Sequence, residues 1–96
     1  MSYQDFLNAD RRLVLLRLLA DLPGRKGNSS VLAARPEHWG HGVGRDYVKT
    51  QLAWLVEQGL VTTEEMGPVI LATITERGIE VTEDRVRVPG VNRPGG

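Results

Sequence analysis

Cysteine is missing from this 96-residue chain, which excludes disulfides, thiolate metal sites and cysteine nucleophiles. Long apolar runs are missing too: the longest, "LVLL" at 13–16, is far too short to span a bilayer. The N-terminus, "MSYQDFLNADRR", has neither the basic start nor the apolar core of a secretion signal. A cytoplasmic protein without a membrane partner is expected. Net charge is missing as well, since twelve basic and twelve acidic side chains cancel. No global positive field therefore draws the chain onto nucleic acid, and any DNA binding must come from a local patch. The balance is uneven: residues 1–83 carry nine basic against eleven acidic groups, whereas 84–96 carry Arg85, Arg87 and Arg93 against Asp84.

What is present fits one compact domain. Apolar residues make up 41% and charged residues 25%, a globular rather than a disordered composition. In "NADRRLVLLRLLADLPG", Val14, Leu15, Leu18, Leu19 and Leu22 recur at helical spacing, with Arg11, Arg12 and Arg17 mainly on the other side. A first helix is expected over about 9–22, capped by Asn8 or Asp10, with "SYQDFL" as a short extra turn. "RKGNSS" reads as a polar loop. Asn28 or Ser29 can cap a second helix through "SVLAARPEHWG", with Val31, Leu32 and Trp39 on its apolar side. Pro36 disfavours one regular helix there and suits the start of a second piece.

"GRDYVKTQLAWLVEQGLV", residues 44–61, predicts a third helix with Val48, Leu52, Leu55, Val56 and Gly59 on one face. Gly59 suits a left-handed C-terminal cap. The period then changes. Two β-branched runs, 60–63 and 69–75, separated by "EEMGP", predict a hairpin with Glu64 and Glu65 at its tip. Thr75 can cap a last short helix carrying Ile79 with Val81 or Thr82. The Pro/Gly/Arg-rich 84–96 stretch predicts an extended or mobile tail beyond a domain of residues 1–83. Helices followed at once by a hairpin make a winged helix-turn-helix. The expected class is α+β, mainly α: three helices, a two-stranded wing and a short C-terminal helix.

"DRRLVLLRLL", "GHGVGRDYVKTQLAWLVEQGLV", "ATITERGIEV" and "VRVPGVNRP" together resemble a family of small proteins from Mu-like transposable bacteriophages and prophages, described as winged-helix and ArsR-like. The resemblance spans nearly the whole chain and implies a winged-helix fold of phage or prophage origin. It brings no catalytic motif, and the cysteine-based metal sites associated with the ArsR name have no counterpart here. Members favour Ser where Gly44 stands, a better helix cap.

Two functions remain open. As a DNA reader, the N-terminal half of the third helix would enter the major groove with Arg45, Asp46, Tyr47, Lys49 and Thr50, while Arg25 and Lys26 held phosphate. The partner would then be double-stranded DNA, in transcriptional or phage-development regulation. As a protein-contact module, for a phage or host partner, the chain would use Trp54, Glu64 and Glu65; two carboxylates on a wing oppose phosphate. Trp54 and Tyr47 alternatively seal the core edge. The arginine-bearing tail fits a DNA arm or a strap on the domain's own surface. His38 and His41, with Glu37, lack a third metal ligand nearby and read as surface groups. No catalytic arrangement, metal site or cofactor site is expected. A monomer or weak homodimer is expected from the short final helix.

Overall fold

The computed structural model describes residues 2–34 and 43–95. The first helix, α1, runs unbroken over Tyr3–Asp21. It begins six residues before the expected start because Ser2 and Asp5 form a reciprocal capping box. Asp5 N–H donates to Ser2 Oγ (3.0 Å), and Ser2 N–H donates to Asp5 Oδ2 (3.2 Å). Asn8 and Asp10, expected as caps, lie inside the helix. The buried stripe is wider than the leucine spacing suggested: Ala9, Leu13, Leu15, Leu16, Leu18 and Leu19 all turn inward.

A 3₁₀ turn at Pro23–Arg25 leads into β1, Lys26–Asn28, where a polar loop was expected. The strand is short and Gly-centred, so it carries no hydrophobic alternation to announce itself. Asn28 Oδ1 caps α2, Ser29–Ala33, by accepting from Val31 N–H (2.8 Å). One turn and a half offers the core few positions, and it takes Ser29 and Leu32; Val31, expected inside, is exposed. Pro36, Glu37, His38, Trp39 and His41 lie outside the described residues.

The next helix, α3, spans Arg45–Glu57 and buries Val48, Gln51, Leu52 and Leu55. The buried arc is centred between Leu52 and Leu55, which carries Val56 to its edge and out to solvent, contrary to expectation. Gly59, at φ +73°, ends the helix in a Schellman motif. Gly59 N–H donates to Val56 C=O (2.9 Å) and Leu60 N–H to Leu55 C=O (3.0 Å).

The hairpin strands are β2, Val61–Met66, and β3, Val69–Ile74, in register from Val61 opposite Ile74 to Met66 opposite Val69. β1 pairs with the other edge of β3, Lys26 facing Thr73, so the sheet has three antiparallel strands in the order β1-β3-β2. Pairing continues to the last residue before the turn. Only Gly67 (φ +62°) and Pro68 form the tip, a positive-then-negative φ sequence of the kind that matches strand twist. Glu64 and Glu65 are therefore strand residues, opposite Leu71 and Ile70, rather than tip residues. The last helix, α4 over Glu76–Thr82, is capped by Thr75, whose Oγ1 accepts from Gly78 N–H (3.1 Å).

α1, Leu32, the inner face of α3, Leu60, Val61, Ala72, Ile74 and α4 close one aliphatic core. Residues 84–95 join it. Val88 and Val91 are buried, and Asn92 N–H donates to Ala9 C=O (3.2 Å). The architecture is a winged helix of α+β class, mainly helical.

Candidate nucleic-acid interface

α3 begins without a side-chain cap, because Gly44 stands at the N-cap position and has no atom to offer its orphan N–H groups. Those donors, with Arg45 and Asp46, face solvent at the exposed end of the helix. Arg45 has no side-chain partner among the described residues, so its guanidinium is available. Thr50 is exposed and its Oγ1 donates back to Asp46 C=O (3.0 Å). Lys49 is committed elsewhere: its Nζ donates to Pro68 C=O at the hairpin turn (2.7 Å). That bond ties α3 to the hairpin turn.

Tyr47 turns away from this surface. Its hydroxyl donates to Asn8 Oδ1 (2.5 Å) on α1, and the Arg11 guanidinium lies 5.2 Å from its ring centroid. Trp54 is half-buried under Arg12, whose guanidinium carbon sits 3.8 Å from the indole centroid. Arg12 Nε donates to Gln51 Oε1 (2.7 Å) and Nη1 to Gly90 C=O (3.0 Å). Loss of hydration pushes the Arg12 pKa down, opposed by Tyr47 and Asp5. Trp54 thus seals the core edge beneath the C-terminal segment, one of the two alternatives weighed for it.

Arg25 and Lys26 are not brought to α3. Lys26 faces Thr73, and from Pro68 to Thr73 along β3 is roughly 17 Å at strand rise, so the pair sits at the far end of the sheet from the turn. Arg25, at φ +57°, lies 3.9 Å from the Glu76 carboxylate. Glu64 and Glu65 are exposed along the edge strand β2. The described surface near α3 therefore combines Arg45 and Lys49 with Asp46 and two glutamates. Arg12 and Gln51 were not singled out from the sequence. A glutamine flanked by Val48, Leu52 and Leu55 on one helical face is the signal that could have found them, because a buried amide needs a partner. No helix among the described residues is long and apolar enough to cross a membrane.

No family model matches the chain. It is 47% identical over 90 residues to gp26 of Escherichia phage Mu, a protein of uncharacterised function, covering 94% of this chain and 93% of that one. The chain belongs to the Mu gp26 family. An uncharacterised protein of Haemophilus influenzae is 40% identical over 78 residues, 80% of this chain and 76% of its own. Among solved structures, the chain superimposes on hsRosR from the hsRosR-S1 complex with a TM-score of 0.67 at 20% identity, covering 77% of this chain and 65% of that one. It matches Sco5413, a MarR family transcriptional regulator from Streptomyces coelicolor, with a TM-score of 0.64 at 32% identity, covering 76% and 48%. A possible transcriptional regulator for arsenical resistance gives 0.58 at 21% identity, covering 86% and 79%. The chain thus shares the fold of hsRosR and of the MarR family regulator Sco5413, and spans about two thirds of the first and half of the second.

Proposed function

We propose that this Mu gp26 relative is a cytoplasmic DNA-binding regulator of phage or prophage origin, reading duplex DNA with the N-terminal half of α3. The observation that carries the reading is the pairing of an uncapped, exposed helix start with a wing whose two-residue turn is tied to α3 by Lys49. Uncapped N–H groups and the helix dipole favour phosphate oxygens, and Arg45 can fork to a guanine. Thr50 offers a methyl to thymine. Tyr47 acts as a brace on α1 rather than a base contact, and Arg25 and Lys26 serve at most a distant phosphate. Glu64 and Glu65 weaken the attraction and leave few phosphates neutralised, so affinity is low, is seen at low salt and has a shallow salt slope.

Backbone amide NMR titration with a random-sequence duplex tests this at about 50 mM and then about 200 mM salt. Shifts at 44–50 and 67–68 that fade with salt are expected, with 25–26 unmoved. No shifts at the lower salt would overturn the reading. The second reading is a protein-contact winged helix. It is favoured by the acidic, exposed edge strand β2, and would show as binding of a basic phage or host segment along residues 62–66 without any response to DNA.

A further inference from the structure

Where the C-terminal segment crosses α1, a cavity of about 370 Å³ opens to solvent. Asp5, Ala9 and Arg12 of α1 line one side of it, and Trp54 with residues 90–92 the other. The three α1 residues stand four and three apart on one helix face, so carboxylate and guanidinium share this space two turns, roughly 10 Å, apart along the axis. No ion pair joins them. They nevertheless act on each other across the gap. Arg12 adds to the Ser2 contacts that lower the Asp5 pKa, and Asp5, after Tyr47, opposes the desolvation that lowers that of Arg12. Polar capacity is left over at both ends. Arg12 engages Gln51 through Nε and Gly90 through Nη1, which leaves Nη2 without an acceptor among the described residues. Asn92 Nδ2 has only a long 3.4 Å contact to Asp10 Oδ1. Asp5 accepts from Ser2 N–H at Oδ2, and its Oδ1 has no donor among the described residues.

We infer that this cavity binds a small zwitterion, a free aliphatic α-amino acid, with its carboxylate on Arg12 Nη2 and Asn92 Nδ2 and its ammonium on Asp5 Oδ1. The volume lies at the small end of the range for ligand pockets, roughly 300–1,000 Å³. Two charge-assisted hydrogen bonds of about 2.8 Å take up half of the helical span and leave only a few ångströms between the ligand's own charged ends. A simple anion would face Asp5 and a simple amine would face Arg12, so only a molecule carrying both charges gains at both ends. Ala9, Val91 and the Trp54 ring supply the apolar wall for its side chain. The cation needs little ordering on binding, because the Trp54 stack and two hydrogen bonds already hold it. The ligand bridges α1 and residues 90–92, and so holds the C-terminal segment against the domain. The inference is independent of DNA binding, since Trp54 stands nine residues, roughly 13 Å at helical rise, beyond Arg45.

NMR titration of the full chain with valine and with leucine, without DNA, tests it through the Trp54 indole N–H and the Asn92 side-chain amide. A Kd of about 1 mM is expected. N-acetylvaline and valinamide each lack one charge and should bind about tenfold more weakly than valine. Asp5→Asn keeps an acceptor for Ser2 N–H, and circular dichroism checks that α1 survives. That variant should weaken valine about tenfold yet leave N-acetylvaline, which has no ammonium to lose, unchanged. In the parent chain, hydrogen exchange of the Asn92 backbone amide should slow about tenfold at ten times the Kd of valine. No shift at either probe with about 50 mM valine or leucine, blocked forms that bind as well as valine, or a D5N variant that binds valine like the parent would each overturn the proposal.

Discussion

Replacing Arg12 by methionine removes one side chain that serves three neighbours from different parts of the chain. Nε satisfies the amide oxygen of Gln51, which is only 4% exposed; Nη1 holds Gly90 C=O; and the guanidinium covers Trp54. Among the described residues no buried side-chain polar atom lacks a partner, so the variant creates a defect that the parent avoids. Leaving the Gln51 oxygen unpaired costs about 1–3 kcal/mol. Losing a partly desolvated cation–π stack costs about 1 kcal/mol more. The charge-assisted bond to Gly90 adds a similar amount, and relief of the arginine's own desolvation offsets part of the sum. A net loss of about 3 kcal/mol is expected, which for a chain of this size lowers the melting temperature by ~15 °C.

Urea denaturation measures the total, and a partner substitution isolates its origin. In the double variant R12M/Q51L the orphaned oxygen disappears, so about 1–2 kcal/mol should return relative to the sum of the singles. Hydrogen exchange should show the Asn92 amide, bonded to Ala9 C=O, opening far more readily than Leu60 in the Schellman motif. An R12M variant within about 0.5 kcal/mol of the parent, or strictly additive singles, would refute the account of Arg12 as the clamp.

Among the described glycines, Gly78 would bring an added Cβ closest to its neighbours. A Cβ there would lie 2.3 Å from Leu60 O and 2.6 Å from Ile74 Cγ1, and Leu60 O already accepts from Thr75 N–H. Gly78→Ala should therefore destabilise by about 2 kcal/mol despite its better helix propensity. Gly44→Ser, with open space around it and an N-cap to supply, should gain a few tenths, about 0.3 kcal/mol; thermal melts compare the two. The Asp5 pKa is held below its ordinary 3.8 by the Ser2 backbone N–H and then by the Ser2 side chain. A depressed carboxylate stabilises the fold above its unfolded value and loses that contribution as pH falls through the folded one, so the capping contribution is present above the ordinary 3.8 and lost only as pH falls through the lower folded value. An NMR titration of Asp5 should show a midpoint below 3.8 that rises in Ser2→Ala. Finally, E64K/E65K should tighten random-duplex binding and steepen the log–log salt slope by about 2, read by fluorescence anisotropy. An unchanged slope would mean that the hairpin does not touch the backbone.

Much of the fold could be read because its signals are local. The Gly59 stop, the Thr75 cap and the change of period after Leu60 each depend on a few neighbouring residues. What escaped the sequence depends on distant ones. β1 exists because β3 offers Lys26–Asn28 an edge, and Gly27 has no side chain to advertise a strand. Val56 and Gln51 exchange places because the neighbouring elements choose where the buried arc of α3 is centred. Of the expected DNA contacts, Arg45, Asp46 and Thr50 remain together on the exposed face. Lys49 and Tyr47 are drawn off by Pro68 and Asn8, partners that no spacing rule identifies.

The strap formed by residues 84–95 has a consequence for the order of events during synthesis. Ala9 and Arg12 leave the ribosome early, yet their partners Asn92 and Gly90 emerge near the end of these 96 residues. Until then one flank of α1 and the Trp54 ring stand open to water, and the aliphatic core lacks Val88 and Val91. Closure of so long a loop is the slow, entropically costly kind of contact. Native packing of this flank thus waits for residues 84–95, and until they emerge the nascent chain carries an open apolar flank.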